Sequence, residues 1–151
     1  MKIDDLDRRI LDFLQLDARI AASHIADELK ISTPTVTERI KKLAEAGVIK
    51  GFHASIDPKM LGLEVSAIIT IISESSEHYK EVIDLAKETS EVIQCFSTTG
   101  KGSHTLIVIA KNSQALEELL RRIQSWPGVS RTETQVILSS YDLNKSSYEI
   151  N

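Results

Sequence analysis

The apolar residues of this 151-residue chain change their spacing once, and no other feature limits the possible folds as much. Up to Gly47 they recur every three to four positions, which is the pattern of amphipathic helices. From Val65 onward, β-branched runs and helical stretches follow in the order strand, helix, strand, strand, helix, strand. The pattern predicts an α+β protein with a helical domain at 1–50, a linking strand and hinge at 51–63, and a second domain at 64–151.

Three helices are predicted in the first domain. Ser23 and Thr33 are the expected N-caps of the second and third helices, and Gly47 is expected to end the third in a left-handed conformation. Only residues 30–32 separate these two helices, so the domain is expected to be a helix-turn-helix of the winged-helix-like kind. The inward-facing residues should be Leu6, Ile10, Phe13 and Leu14, then Ile25, Ala26 and Leu29, and finally Val36, Ile40 and Leu43.

The outward side of the third helix has an unusual composition, with hydroxyl groups at its start and cations further along. The third helix of a helix-turn-helix enters the major groove of DNA with its N-terminal residues toward the bases. Hydroxyls can bond to bases or phosphates, and cations neutralise the phosphate backbone. The residues expected to bind double-stranded DNA are Ser32, Thr33, Pro34, Thr35, Thr37, Arg39, Lys41 and Lys42.

The charge of the chain is unevenly distributed. The formal net charge is −4, yet residues 30–50 hold five Lys and Arg residues against two Glu. A polyanion would meet this local patch rather than the net charge. By charge alone, a solvated helix face with Glu38–Lys42 and Lys41–Glu45 pairs explains the patch equally well. The short turn, the cap and the leading hydroxyls together favour DNA.

The second domain has the order of a ferredoxin-like βαββαβ fold, in which two helices cover one face of four antiparallel strands. The residues 100–103 form a hairpin turn by composition. The runs VSAIITIIS and TLIVIA are apolar on both faces. Two helices can cover only one face, so we expect a second copy of the chain to bury the other; an ordinary, well-buried strand core is the alternative.

Several classes of protein are not expected. No apolar run approaches the roughly 20 residues of a membrane helix, and the acidic start is unlike a secretory signal. The single Cys95 allows no internal disulfide and suits a cytoplasmic protein. No Cys and His spacing typical of a metal site is present, and no catalytic residue or cofactor is predicted.

The chain resembles the Lrp/AsnC family of transcription regulators, also called feast/famine regulatory proteins. The resemblance spans essentially the whole chain. It is carried by LDRRILDFLQLDAR at 6–19, by ISTPTVTERIKKLAEAGVIKGFHASIDPKMLG at 31–62 and by RTETQVIL at 131–138. It implies a dimer formed through the sheets, further assembly such as an octamer, and an amino-acid-like effector bound in clefts between dimers.

The hairpin turn departs from the family pattern. Family members usually carry a Gly-Asp-Tyr-Asp-like run here, whereas this chain reads Gly100-Lys101-Gly102-Ser103-His104. The Asp that would receive the amino group of a ligand is missing, so we expect an altered effector or none. The residues implied for effector binding are Gly100, Ser103, His104, Thr132 and Thr134, although both threonines are equally well explained as ordinary strand residues.

Two other functions stay open at this point. Some proteins of this architecture are decarboxylases of haem precursors that depend on histidines, and this chain contains His24, His53, His78 and His104. These lie far apart in the sequence without a partner acid, which disfavours an enzyme. The other alternative is a metabolite sensor whose helix-turn-helix docks onto a protein.

Overall fold

The computed structural model describes residues 1–143, so the last part of the predicted second domain, 144–151, lies outside the described residues. The chain divides into two compact units, residues 1–55 and residues 56–141. No helix within residues 1–143 combines the length and the hydropathy needed to span a membrane.

Residues 1–55 contain three helices, α1 (Asp5–Leu16), α2 (Ala22–Leu29) and α3 (Thr33–Glu45). The predicted apolar stripes meet in one core. Its fully buried members are Ile10, Ile25 and Val36, and the partly buried Leu6, Phe13, Leu14 and Ile40 pack around them. This confirms the helix-turn-helix prediction, because each stripe faces the other two helices.

Both predicted N-caps were wrong by one or two positions. The α2 helix follows Ala21 with no side-chain cap, so Ser23 already lies inside the helix. At α3 the cap is Ser32, whose Oγ accepts a hydrogen bond from the Thr35 N–H at 3.2 Å. Thr33 therefore occupies the first helical position. Serine and threonine are both good caps, so composition alone could not choose between neighbours.

The end of α3 agrees with the prediction. Gly47 has a φ of +76°, the left-handed region that glycine enters without strain. The Gly47 N–H donates to the Ala44 carbonyl at 3.0 Å, and the Val48 N–H donates to the Leu43 carbonyl at 2.9 Å. These two bonds close the helix in a Schellman motif.

The predicted linking strand is not a strand in the single chain. Residues 50–57 have no regular secondary structure, and a short 3-10 helix follows at Pro58–Leu61. A strand needs a neighbour for its backbone N–H and C=O groups. Within residues 1–143, the strand pairings join segments between residues 65 and 137, so residues 50–57 have no paired neighbour there.

Residues 56–141 form the predicted ferredoxin-like unit. Its elements are β1 (Val65–Ser73), α4 (Tyr79–Glu88), β2 (Val92–Ser97), β3 (His104–Ala110), α5 (Ser113–Gln124) and β4 (Val129–Ile137). The four strands pair antiparallel in the order β2-β3-β1-β4. The strands β1 and β3 are therefore central, so each is hydrogen-bonded to a neighbouring strand along both edges.

The two faces of this sheet differ in burial. On one face, Ile69 pairs with Leu106, and both are completely buried in the core formed with α4 and α5. The opposite face carries Ile68, Ile107 and neighbouring aliphatic residues that are only partly buried. We call this second surface the open face; its partly buried aliphatic residues on β1 and β3 are Ile68, Ile72, Ile107 and Ile109.

Candidate functional site

The outward side of α3 presents one exposed row. Thr33, Thr37 and Lys41 follow at intervals of four residues, so they lie above one another along the helix. All three are exposed, whereas Val36 and Leu43 on the inward side are completely buried. We call Thr33, Thr37 and Lys41 the outward row. The other predicted DNA-binding residues of this surface, Ser32, Pro34, Thr35 and Lys42, are exposed as well.

The first turn of α3 is held by its own hydroxyl groups. The Ser32 Oγ and Thr35 Oγ1 atoms lie 2.6 Å apart, and the Ser32 Oγ also accepts the Thr35 N–H. The cap fixes where the helix begins and hence where the Thr33 and Thr37 side chains point. A positive helix end with exposed hydroxyls is suited to phosphate oxygens.

Arg39, predicted to bind DNA, is engaged within the helical unit by two carboxylates. Its Nη1 lies 2.5 Å from Asp4 Oδ2 and 3.1 Å from Asp7 Oδ1. These two acids form the capping box of α1, and the Asp7 side chain is 1% exposed. The hydrogen bond from Arg39 is the main reason why the pKa of Asp4 falls to about 2. Arg39 therefore joins α3 to the start of α1 rather than offering a free cation.

The acids that engage Arg39 were visible in the sequence. Asp4 and Asp7 lie at the start of α1, where acidic groups also interact favourably with the positive end of the helix dipole. Their contact with α3 depends on how the two helices cross, which the sequence does not state. The same ion pair raises the pKa of Arg39.

Lys41 and Lys42 keep their charge available. Lys41 Nζ lies 4.0 Å from Glu45, and Lys42 Nζ lies 3.8 Å from Glu38. Both lysine side chains are about two-thirds exposed, at 66% and 60%. Exposed pairs at this distance contribute little, because water screens them and the side chains remain free to move. The two ion pairs that would explain the charged patch without DNA are therefore present in the structure, but they are weak.

A second site lies in the ferredoxin-like unit, where the β2–β3 hairpin turns beside the end of β1. A cavity of about 450 Å³ opens there. We call it the hairpin pocket; it is lined by Ser73, Tyr79, Ser97, Thr98, Thr99, Gly100, Lys101, Gly102 and Ser103. Of the five predicted effector residues, Gly100 and Ser103 line it. The contribution of Ser73 and Tyr79 was not predicted, because they come from other parts of the unit.

His104 lies behind the wall of the hairpin pocket rather than in it. Its side chain is 1% exposed, and Nδ1 is 2.8 Å from Ser103 Oγ. The Tyr79 ring stands edge-on to the imidazole with 5.0 Å between the ring centroids. Burial lowers the pKa of His104. Within residues 1–143 its Nε2 has no hydrogen-bond partner.

Thr132 and Thr134 are not brought to the hairpin pocket in the single chain. They lie on the edge strand β4, opposite Ile71 and Ile69. Thr132 Oγ1 accepts a hydrogen bond from Gln124 Nε2 at 3.2 Å, which links β4 to α5. In this chain, the explanation of Thr132 as a structural strand residue is thus supported by a contact.

Two glycines shape the hairpin. Gly100 has a φ of +95°, which a residue with a side chain rarely adopts. A Cβ on Gly102 would lie 2.3 Å from the Thr70 Cγ2 atom and 3.0 Å from the Ile71 carbonyl oxygen. Lys101 then reaches Glu133 on β4 at 2.9 Å and lowers the pKa of that carboxyl. The turn is therefore fixed at three neighbouring positions.

Comparison with known proteins connects both units to one kind of protein. Residues 3–50 match the model for a winged helix-turn-helix DNA-binding domain, and residues 65–146 match the model for the Lrp/AsnC ligand binding domain. The HTH-type transcriptional regulator FL11 of Pyrococcus horikoshii is 34% identical, covering 92% of this chain and 91% of FL11.

Solved structures give the same result. The structure of AsnC from E. coli is 33% identical with a TM-score of 0.85, covering 93% of this chain and 95% of that one. The feast or famine regulatory protein of M. tuberculosis, complexed with L-methionine, is 30% identical with a TM-score of 0.89, covering 95% and 97%. The family match and these full-length similarities confirm the resemblance seen in the sequence: the chain belongs to the Lrp/AsnC family of helix-turn-helix transcriptional regulators.

Proposed function

We propose that this regulator binds double-stranded DNA with the leading half of α3 in the major groove. The observation that carries the proposal is the outward row of Thr33, Thr37 and Lys41, exposed on the side opposite the buried stripe. Short hydroxyl side chains let the helix approach base edges closely, and a threonine methyl can pack on thymine. The groove is then read by Thr33 and Thr37.

The cations of α3 have two separate roles in this proposal. Lys41 and Lys42 contact the phosphate backbone and release counterions, which makes binding dependent on salt. Arg39 acts within the protein, because its guanidinium is already engaged by Asp4 and Asp7. It contributes to DNA binding by fixing the direction of α3.

A binding titration at several salt concentrations tests this. Fluorescence anisotropy with genomic fragments should show that the K41A/K42A double variant binds all fragments more weakly. The slope of log affinity against log salt should decrease by about two, roughly one per lost phosphate contact. The K80A/K87A variant removes two exposed lysines from α4 and is the matched control. Equal affinity and slope in K41A/K42A and the control would contradict the proposal and favour a protein-docking role for α3.

We also propose that two chains associate through their open faces. The partly buried Ile68, Ile72, Ile107 and Ile109 form an aliphatic surface that α4 and α5 do not cover. Burying such a surface against a second copy removes it from water, and an isologous contact gives a closed dimer. A dimer supplies two recognition helices for half-sites about one helical turn apart. Dimers then assemble further, into an octamer or a similar ring.

The hairpin pocket is the proposed place for a small, amino-acid-like effector. The L-methionine complex of the M. tuberculosis neighbour supports a small ligand in a protein of this architecture. Gly100 and Ser103 line the pocket, and His104 supports its wall. Thr132 and Thr134 of a neighbouring copy would complete the site in an assembly. An effector that binds one arrangement of dimers better than another shifts the population toward it.

We further propose that the protein is a regulator without enzymatic activity and that it works in the cytoplasm, where it meets the chromosome. Two of the four histidines are engaged elsewhere: His104 is sealed from solvent, and His78 is hydrogen-bonded to Glu81. Incubation with sirohaem tests this point. An unchanged absorption spectrum is expected, and conversion of the sirohaem would contradict the proposal.

A further inference from the structure

We propose that the hairpin pocket selects a small monocarboxylate that carries no ammonium group, such as a 2-oxo acid or a 2-hydroxy acid, over the amino acid with the same side chain. This inference rests on the proposed function, which places an effector in the pocket. It deepens that function by naming the chemical class of the effector.

The charges around the hairpin pocket favour an anion. Among the described residues that line it, Lys101 is the charged one, and none is an Asp or a Glu. Glu133 lies outside the lining and is engaged by Lys101 at 2.9 Å and by Arg131 at 3.5 Å. The three side chains together carry one positive charge. A ligand ammonium would meet this charge with no carboxylate to receive its protons, whereas a carboxylate would be attracted.

The hydroxyl groups of the hairpin pocket are numerous. Six of its nine lining residues carry one: Ser73, Tyr79, Ser97, Thr98, Thr99 and Ser103. A hydroxyl donates one hydrogen bond to a carboxylate or carbonyl oxygen and can also accept. The lining therefore offers hydroxyl donors to a ligand with a carboxylate beside a keto or hydroxyl oxygen. An ammonium group needs three acceptors at once, and the hydroxyls would have to turn away from the neighbouring carboxylate.

The direction of the hydrogen bonds behind the wall strengthens this argument. Neutral His104 carries one ring proton, and its Nε2 lies in a buried position with no partner within residues 1–143. A buried donor without an acceptor is more costly and rarer than a bare acceptor, so the proton belongs on Nδ1. From there it is donated to Ser103 Oγ, 2.8 Å away.

The chain of donors continues to the hairpin pocket. Ser103 Oγ lies 2.7 Å from Ser73 Oγ and 3.4 Å from the Ile71 carbonyl oxygen, so its proton goes to Ser73. The proton of Ser73 is then free to be donated into the pocket that Ser73 lines. The His104–Ser103–Ser73 chain thus directs a hydroxyl proton toward the ligand, which favours an oxygen acceptor at that position over an ammonium donor.

The size of the hairpin pocket and its single cation narrow the class of ligand further. A volume of about 450 Å³ accommodates an acid with a side chain, as in typical small-molecule sites. Phosphate groups are usually held by several cations or by a bidentate Arg. The hairpin pocket offers one Lys, which matches one carboxylate charge.

Calorimetry on the full-length protein tests the proposal with matched pairs of probes. The pairs are pyruvate and alanine, 2-oxoisocaproate and leucine, and 4-methylthio-2-oxobutyrate and methionine. In at least one pair, the oxo acid should bind ten-fold or more tightly than its amino acid. Tighter binding of the amino acid in every pair that binds would overturn the proposal, as would equal binding of inorganic phosphate.

Variants connect the binding to these residues. S73A and K101M should each weaken the binding of the oxo acid at least five-fold. K111M changes an exposed lysine outside the hairpin pocket and should leave this affinity unchanged. K101D places a carboxylate in the lining and should reverse the preference toward the amino acid. Unchanged binding in both S73A and K101M, with the fold intact by circular dichroism, would overturn the proposal.

The results separate this inference from the proposed function. If the amino acid binds more tightly than the oxo acid in every pair but S73A abolishes its binding, the hairpin pocket remains the effector site and the inferred ligand class is wrong. If no probe binds at all, both the pocket and the inferred class fail. The DNA-binding proposal is decided by the salt titration of K41A/K42A and is unaffected by either outcome.

Discussion

The two units present their outward surfaces in opposite ways. In residues 1–55, α3 is apolar on its buried side and polar on its exposed side, so the surface proposed to bind DNA is also stable in water. In residues 56–141, the central strands are apolar on both faces, and two helices cover only one. The comparison teaches that the exposed side of α3 needs no further covering in a single chain, whereas the open face of the sheet is suited to a partner chain.

The largest expected effect comes from the covered face of the sheet. Ile69 is completely buried, and I69A should lower the free energy of unfolding by about 2–5 kcal/mol because it leaves a cavity in the core. Urea denaturation at two protein concentrations measures this. The I68A variant, one position along on the open face, is the control; its smaller loss relative to the wild type should shrink further when the protein is diluted, because the dimer contact that Ile68 supports is then lost in both proteins. Equal losses for the two variants would remove the proposed difference between the faces.

On the open face, an introduced charge should disrupt the assembly of the protein more than a side-chain truncation does. The I107E variant places a carboxylate in the proposed sheet-to-sheet contact, where its desolvation is not compensated. The mass in solution, measured by light scattering, should fall to that of one chain while circular dichroism stays unchanged. L16E introduces the same change at an exposed position of α1, outside the sheet, and should leave the mass unaltered. An assembly that survives I107E would refute the proposed interface.

In the helical unit, the ion pair of Arg39 should have a moderate effect. R39M leaves the buried Asp7 carboxylate without its cation and should lower the Tm by roughly 5 °C. The exposed R8M is the control. Thermal unfolding followed by circular dichroism measures both, and an equal Tm in the two variants would show that the pair does not hold α3 to α1.

The pH dependence of the same pair has a defined sign. The folded pKa of Asp4 is about 2 and its ordinary value is 3.8, so the stabilisation is fully present above pH 4. It is lost as the pH falls from about 4 to about 2, because the carboxyl takes up a proton. The Tm difference between the wild type and R39M should therefore shrink across this window. A difference that stays constant down to pH 2 would contradict the assignment.

The smallest effect is expected on the exposed side of α3. T37A should change the preference between operator sequences by roughly five-fold, with little change in the salt slope, because Thr37 is proposed to contact bases and not phosphates. Competition binding with a panel of operators measures this. S113A, which removes an exposed hydroxyl from α5, should have no effect. A uniform loss across all operators would place Thr37 on the phosphate backbone instead.

The predictions from the sequence were correct for features that depend on a single helix, strand or residue. The apolar stripes of α1, α2 and α3, the left-handed Gly47 and the βαββαβ order are all confirmed. Each depends on local periodicity or on a single residue type, and helical and strand periods differ enough to be separated. The cap of α3 was placed wrongly because Ser32 and Thr33 are neighbours with similar chemistry, and only the backbone decides which one precedes the helix.

The sites were predicted less completely. The exposed hydroxyls of α3 follow from the helical period, but the pairing of Arg39 with Asp4 joins residues 35 positions apart. The hairpin pocket likewise combines Ser73, Tyr79 and the turn, which are separated in sequence. Thr132 and Thr134 were associated with the turn through the resemblance alone, and the single chain places them on the edge strand β4.

The amino-acid sequence by itself determined the two units, the order of their elements and the polar side of α3, since these depend on spacing within about ten residues. The tertiary structure decided that Arg39 neutralises the capping box, that His104 is sealed behind the pocket and that Ser73 receives its hydrogen-bond chain. Strand register and helix crossing bring these groups together. Both depend on the packing of the whole unit, which no local pattern contains.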